Sequence, residues 1–199
     1  NVRSLSILVV LILACSVALG SCAKPAAPTT APQVAVYAIY DEPLTNWDPS
    51  VEFSSGIRYF NNVYEQLLRY DFVQNKVLPL LATEWSTSSD GLTWTFKLRK
   101  GVTFHNGDKF TAKDVAFTID YAKDPKNKCE RRGLVKDYTY EIIDDHTIDI
   151  IHEKGTIDPI LPAVWYCVLI LPADGVSKMG VDKFTQGPIG TGPFQFVEW

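Results

Sequence analysis

The chain has 199 residues, of which 46% are hydrophobic and 12% aromatic, and its formal net charge at pH 7 is −4. This length corresponds to one ordinary domain or to part of a larger one. Because the composition lacks a surplus of lysine and arginine, it gives no support for nucleic-acid binding.

The chain begins with an apolar run of the kind found in export signals. Residues 5–19 are almost all apolar and follow a single cation, Arg3. A membrane-spanning helix needs about 20 apolar residues, so this run is too short for a stable span. Its length and the small residues at its end are typical of a signal peptide over residues 1–21. Loss of that segment removes one positive charge and leaves a net charge of −5.

The signal ends in Leu-Gly-Ser-Cys at residues 19–22. This pattern resembles the bacterial lipobox, in which the cysteine sulfur receives a diacylglycerol and the preceding peptide bond is cut. We interpret Cys22 as a lipid-attachment site; the alternative is an ordinary cleavable signal followed by a chance cysteine. Residues 22–32, rich in Pro, Ala and Thr, would form an extended tether. Two or more acyl chains anchor stably, so the exported chain is expected on the outer face of the bacterial cytoplasmic membrane.

The body of the chain alternates between strand and helix patterns. Alternating apolar residues predict a first strand over 33–40, followed by a loop over 41–55. Apolar residues at helical spacing then predict a helix over 56–69. The next predicted elements are an extended segment at 70–73, a strand at 82–86, a turn at 89–91 and a strand at 92–98.

The second half of the chain continues this mixture. Residues 111–114 resemble a capping box with Asp in place of Glu, and predict a helix that ends before Pro125. The remaining predicted elements are a hairpin with strands at 139–143 and 146–152, a helix at 157–165, a strand at 167–171 and a short helix at 174–183. Antiparallel hairpins with isolated helices indicate an α/β fold with a mixed sheet.

Two cysteines, Cys129 and Cys167, remain once the signal and the lipid site are set aside. In an exported protein they either form a disulfide or lie buried separately, and the sequence leaves both possibilities open. The histidines lack metal-ligand spacing and no Cys-x-x-Cys pair occurs, so no metal site is predicted. We expect His146 and His152 to be solvated residues at strand edges.

The sequence also lacks the patterns of common catalytic sites. Residues 187–192 are rich in glycine, but prolines stand where a phosphate-binding loop would begin its helix. No Gly-x-Ser-x-Gly elbow occurs, and Asp90 and Asp108 lie in glycine-flanked turns, where a carboxylate usually accepts from backbone amides. We therefore predict no enzymatic activity and no cofactor.

Several separated blocks of sequence carry a family resemblance. They are DP at 48–49, NVYEQLLRYD at 62–71, LLATEW at 80–85, SDGLTWTFKLRKGVTFHNG at 89–107, TAKDV at 111–115 and GTGPF at 190–194. Together they resemble family 5 of the bacterial solute-binding proteins, the peptide-, dipeptide- and nickel-binding receptors of ABC importers. The resemblance spans residues 34–199.

The resemblance implies the α/β fold of a type II periplasmic-binding protein. It places residues 33–50 and about 184–199 in the first lobe, and about 51–183 in a smaller inserted domain. The aromatic and leucine side chains of the 89–107 block would be scaffold. Because most of a second lobe follows the last block in this family, we interpret the chain as an amino-terminal fragment without that lobe.

The resemblance also implies where a ligand binds. In peptide-binding relatives the segment after the Asp-Pro block lines the cleft and bonds the ligand backbone as an added strand does. The matching residues are Glu52, Phe53, Ser54 and Ser55. The alternative is an exposed loop with Phe53 packed inward. Some relatives have a ligand-facing aromatic after the TAKDV helix; Cys129 stands near that place, so the role is not transferred.

The function implied is the capture of solutes for import. We favour the monomeric capture subunit of an ABC importer for oligopeptides or dipeptides, which docks on permease subunits. The alternatives are a receptor of the same fold for a nickel chelate or an oligosaccharide, and a surface sensor without transport. One wall of a cleft is expected to bind ligand poorly by itself.

Overall fold

The computed structural model describes residues 46–51, 53–152 and 168–198. All of them fall within one folded unit, Asp41–Trp199. Several predictions lie outside the described residues and stay predictions: the signal peptide, Cys22, the tether, the strand at 33–40 and the helix at 157–165.

Helix α1 spans Phe53–Val63, so the predicted helix at 56–69 is wrong at both ends. The helix ends at Val63, whose carbonyl accepts the N–H of Gly192 at 2.8 Å instead of the N–H of a further helical turn. Leu67 and Leu68 are buried beyond that end. The spacing of Leu67 and Leu68 from the earlier apolar residues is therefore compatible with a longer helix and also with a turn that leads into a buried strand.

A two-stranded hairpin follows, with β1 at Leu68–Asp71 and β2 at Lys76–Pro79 paired antiparallel. Its turn is fixed by Asp71, whose Oδ1 accepts the N–H of Val73 at 2.9 Å and the N–H of Gln74 at 3.0 Å. The extended segment predicted at 70–73 thus begins two residues too late and ends inside the turn.

The main sheet has four antiparallel strands in the order β3-β4-β6-β5. They are β3 at Ala82–Thr87, β4 at Thr93–Leu98, β5 at Tyr138–Asp144 and β6 at Thr147–His152. The alternation predicted for β4 is confirmed, because Phe96 and Leu98 are buried on one face. Phe96 pairs with Ile148 of β6, and both side chains are fully buried. Both predicted hairpins of this sheet are confirmed.

Helix α2 spans Ala112–Lys123 and packs on the sheet. As the capping pattern predicts, the N–H of Thr111 donates to Asp114 Oδ2 at 2.8 Å. Asp114 Oδ1 accepts the N–H of Ala173 at 2.9 Å, so the same carboxylate ties a later segment to this helix. Burial raises the pKa of Asp114, and the hydrogen bonds from backbone amides oppose that rise. A short 3-10 helix at Pro125–Asn127 and helix α3 at Arg132–Val135 follow.

Tyr140 of β5 should make the stability of the fold depend on pH in the alkaline range. Its hydroxyl donates to Asp120 Oδ2 of α2 at 2.5 Å, and this bond, with burial, raises the pKa of Tyr140 to about 12. Because the folded pKa lies above the ordinary value of 10.0, the contribution is complete below about pH 10 and is lost as the pH rises towards 12. We expect the urea midpoint to fall less between about pH 8 and about pH 11 in Tyr140→Phe than in the unsubstituted protein. Equal falls in both proteins would contradict this assignment.

The last described helices are α4 at Ala173–Met179 and α5 at Val181–Phe184. The single helix predicted over 174–183 is therefore wrong, because Gly180 adopts φ +83° and divides it. The strand predicted at 167–171 is also wrong over its described part, 168–171, which is buried but joins no ladder. Its amides bond to separate partners: the N–H of Ile170 donates to the carbonyl of Glu65, and that of Leu171 to Thr118 Oγ1.

The buried side chains form two clusters. One lies between the four-stranded sheet and α2 and contains Phe96 and Ile148. The other is rich in aromatic rings and gathers around Trp47, Phe60 and Phe184. The expectation that His152 is solvated is wrong: it is 5% exposed and meets the ring of Tyr138 edge-on at 5.1 Å. His146 is half-buried beside the β5–β6 turn.

Candidate functional site

The site is built on residues 46–51, which we call the anchor segment because they lead directly into the predicted ligand-contacting residues. The segment folds into a turn around Asp48. Asp48 Oδ1 accepts the N–H of Ser50 at 2.8 Å, and the carbonyl of Asp48 accepts the N–H of Val51 at 3.2 Å. Asn46 Oδ1 in turn accepts the N–H of Asp48 at 2.6 Å. The Asp-Pro block is therefore a local turn held by its own carboxylate.

Asp48 also bonds across the fold to helix α2. Its carboxylate is buried, with the residue 2% exposed, and Oδ2 accepts the hydroxyl of Tyr121 at 2.6 Å. Burial, reinforced by this bond to Asp48, raises the pKa of Tyr121. The hydroxyl therefore keeps its proton at neutral pH and acts as a donor. A hydrogen bond to a charged group is among the stronger ones in proteins, at about 1.5–3 kcal/mol.

Trp47 holds the amino-terminal side of the anchor segment. Its backbone N–H donates to the carbonyl of Thr185 at 2.8 Å, and its backbone carbonyl accepts a hydrogen bond from the hydroxyl of Tyr64 at 3.1 Å. The indole ring packs edge-on against Phe60 and Phe196, with ring centroids 6.2 Å and 5.1 Å away. Burial raises the pKa of Tyr64 well above its ordinary value, so this hydroxyl is also a fixed donor.

Ser50 holds the opposite side. Its carbonyl accepts the N–H of Glu130 at 3.0 Å, which joins the anchor segment to the loop before α3. Cys129 lies in the same loop as a free and buried thiol, and burial raises its pKa. Cys167, with which it could form a disulfide, lies outside the described residues, so the choice between a disulfide and two separate thiols stays open.

The predicted contact residues follow at once. Glu52 lies outside the described residues, and residues 53–55 form the first turn of α1. The prediction that these three residues belong to a loop is therefore wrong, and the added-strand mode does not describe a helical backbone. Their contact with ligand stays a prediction. The first N–H groups of a helix have no acceptor within it, so this backbone still carries donors.

A second junction joins the carboxyl end of α1 to the GTGPF block. The N–H of Gly192 donates to the carbonyl of Val63 at 2.8 Å, and the N–H of Phe194 to that of Asn62 at 3.0 Å. A Cβ atom on Gly190 would stand 1.9 Å from the carbonyl oxygen of Val63, and one on Gly192 would stand 2.5 Å from that of Asn62. Both positions therefore require glycine.

His105 also forms hydrogen bonds with the GTGPF block. Its Nε2 lies 2.8 Å from the carbonyl oxygen of Gly192, and its Nδ1 accepts the N–H of Gly190 at 3.3 Å. The backbone N–H of His105 donates to the carbonyl of Gly190 at 2.9 Å. Because Nδ1 is the acceptor, Nε2 carries the proton and donates. This contact of His105 was not predicted from the sequence. The signal that could have indicated it was a histidine in one family block together with two closely spaced glycines in another.

Within residues 46–51, 53–152 and 168–198, no three side chains of His, Cys, Asp or Glu gather to hold a metal ion. No helix in that part of the chain is long and apolar enough to cross a membrane.

Comparison with protein families identifies this fold. Residues 76–199 match the family described as "Bacterial extracellular solute-binding proteins, family 5 Middle". The chain belongs to this family. The resemblance that the sequence blocks carried is thereby confirmed.

Individual relatives agree with this membership. The chain is 35% identical over 184 residues to the glutathione-binding protein GsiB of Pectobacterium atrosepticum. This alignment covers 89% of this chain and 34% of the relative. It is 30% identical over 175 residues to the dipeptide-binding protein of Escherichia coli, covering 74% and 32%. The chain thus spans about one third of the length of these relatives.

Solved structures show the same fold. NikZ of Campylobacter jejuni, in complex with Ni(L-His), superposes with a TM-score of 0.71 at 30% identity, over 80% of this chain and 32% of the other. DppA of Helicobacter pylori, an ABC transporter-associated periplasmic binding protein in complex with the peptide STSA, superposes with a TM-score of 0.66 at 27% identity, over 78% and 35%. The predicted α/β fold of a type II periplasmic-binding protein is confirmed.

Proposed function

We propose that this chain is the amino-terminal part of a capture receptor for peptides that serves an ABC importer. The observation that carries the proposal is the anchor segment. Its six residues are held by α2, by Tyr64, by Thr185 and by the loop at Glu130, and they lead straight to residues 52–55. A wall fixed in this way presents backbone groups to a ligand without rearrangement. Relatives that bind dipeptides, glutathione and the peptide STSA support peptides as the ligand class.

The mechanism proposed is closure of two lobes on the ligand. Residues 33–50 and about 184–199 would belong to the first lobe, and about 51–183 to a smaller inserted domain. The bond from Trp47 to Thr185 and the contact of Trp47 with Phe196 support the pairing of the two first-lobe segments. A ligand that touches both lobes stabilises the closed state and so shifts the population towards it. The closed monomer would then dock on the permease; no reaction is catalysed.

Calorimetry with the protein expressed from the complete gene tests the ligand class. The panel is the tetrapeptide Ser-Thr-Ser-Ala, a set of dipeptides, glutathione, Ni(L-His) and an oligosaccharide. We expect saturable binding of peptides and none of the sugar. Binding of the oligosaccharide alone, with no heat from any peptide, would overturn the proposal.

A nickel chelate is the second candidate ligand. The specific observation in its favour is the superposition on NikZ, which binds Ni(L-His). In this case the chelate would saturate the protein and the peptides would not. If the chelate and a peptide both bind, competition between them in one titration separates a shared site from separate ones.

The amino terminus is proposed to anchor the receptor to the membrane through a lipid on Cys22. Two or more acyl chains bind a bilayer stably, whereas the protein without them has no such anchor. We expect the unsubstituted protein to incorporate a radiolabelled fatty acid, and Cys22→Ser to incorporate none. Equal labelling of Cys22→Ser would show that Cys22 is not the attachment site.

A further inference from the structure

We propose that Tyr121 is a positioning residue for ligand binding, which acts through Asp48 to hold the anchor segment where it presents the backbone of residues 53–55 to the ligand. The inference rests on the function proposed above. Tyr121 belongs to α2 and lies 73 positions after Asp48 in the chain.

Both oxygens of the buried Asp48 carboxylate accept hydrogen bonds within the fold. Its two oxygens accept from different parts of the chain, Oδ1 from the N–H of Ser50 and Oδ2 from the hydroxyl of Tyr121. Asp48 is 2% exposed and Tyr121 is 6% exposed. Without the hydroxyl, the buried carboxylate loses a donor, which favours a local rearrangement that lets Oδ2 reach another donor or water. That rearrangement would occur in the middle of the anchor segment.

The other contacts of the segment hold the residues on either side of Asp48. Trp47 is held by main-chain bonds to Thr185 and Tyr64 and by its ring contact with Phe196, and Ser50 is held by the N–H of Glu130. The bond between Tyr121 and Asp48 joins two side chains, so its donor oxygen can be deleted while every backbone group stays in place. Phe53, the first residue of α1, lies five positions after Asp48, and a chain reaches at most about 3.6 Å per residue. A displacement at Asp48 is therefore passed on over a short distance, and about 1 Å is enough to weaken a positioned contact.

The chain contains a matched control. Tyr140 donates its hydroxyl to Asp120 Oδ2 at 2.5 Å, which is the same chemistry on the same helix. Asp120 is exposed, and neither residue touches the anchor segment through a described hydrogen bond. Loss of the Tyr140 hydroxyl removes a tyrosine–aspartate bond from the same helix, at an exposed position, without disturbing Asp48.

The experiment compares three forms of the protein expressed from the complete gene: unsubstituted, Tyr121→Phe and Tyr140→Phe. Backbone hydrogen exchange is measured without ligand over residues 46–63 and over the β5–β6 hairpin. Calorimetry with Ser-Thr-Ser-Ala and with the best-bound dipeptide follows, at a temperature where all three forms are folded. In Tyr121→Phe we expect about fivefold faster exchange in the anchor segment and about fivefold weaker peptide binding. Tyr140→Phe should change neither.

Each other outcome counts against the proposal. Unchanged exchange in Tyr121→Phe would show that the bond does not hold the segment. Faster exchange with unchanged affinity would show a structural role only, and equal weakening in Tyr140→Phe would show a general loss of stability. If the unsubstituted protein binds none of the peptides, the proposed function itself fails and the positioning role fails with it. That result is visible before any variant is compared.

Discussion

Replacement of Gly190 by alanine is expected to destabilise the fold by about 3 kcal/mol or more. The new Cβ atom would stand 1.9 Å from the carbonyl oxygen of Val63 and 2.7 Å from its carbon, both of which belong to the backbone. A flexible side chain could move aside, but this carbonyl is fixed by the N–H of Gly192. The GTGPF block must therefore move away from the carboxyl end of α1. Urea unfolding of the protein expressed from the complete gene measures the effect.

Gly133 provides the control for this substitution. It lies inside α3, and nothing stands within 4 Å of the position its Cβ would occupy. Alanine there is expected to be neutral or to stabilise by up to about 1 kcal/mol, because glycine costs entropy in a helix. Equal urea midpoints for Gly190→Ala and Gly133→Ala would show that the GTGPF block does not pass so close to α1.

Asp48→Ala is expected to destabilise by about 3 kcal/mol. The substitution leaves the hydroxyl of Tyr121 and the N–H of Ser50 without their acceptor, at a position that is 2% exposed. Donors that stay buried without an acceptor cost more than the net strength of the bonds that are lost. Because the substitution also frees the anchor segment, peptide affinity should fall together with the free energy of unfolding.

Asp120→Ala is the matched control. Asp120 accepts the Tyr140 hydroxyl, but it is exposed, so water can take over that bond. Its effect on the free energy of unfolding should stay within about 0.5 kcal/mol. If Asp48→Ala proves no more damaging than Asp120→Ala, the carboxylate of the Asp-Pro block is not the anchor described above.

The sequence predicted those elements whose signals are local. The alternation in β4, the capping pattern at Thr111 and the turn between β5 and β6 depend on neighbouring residues, and all three are confirmed. The errors occur where distant residues decide. Helix α1 ends where its carbonyl meets Gly192, and residues 168–171 bond to Glu65 and Thr118 instead of to a strand. No periodicity over a short window contains those partners.

The candidate site was predictable only in part, for the same reason. The Asp-Pro block and the GTGPF block were visible as sequence, and the family membership follows from them. Their physical meaning needed the fold, because Tyr121 and His105 each meet a partner more than 70 positions away. A buried tyrosine at helical spacing looks the same whether its hydroxyl contacts a core group or fixes a binding wall. The loop predicted over residues 41–55 is wrong at its end, because helix α1 already begins at Phe53.

We propose that residues 52–55, which follow the anchor segment, form one wall of a peptide-binding cleft. Hydrogen exchange of the protein expressed from the complete gene, with and without saturating Ser-Thr-Ser-Ala, tests it most directly. We expect the peptide to slow exchange of the amides in residues 52–55 and to leave the β1–β2 hairpin unchanged. Tight binding of the peptide with no change in exchange at residues 52–55 would contradict the claim.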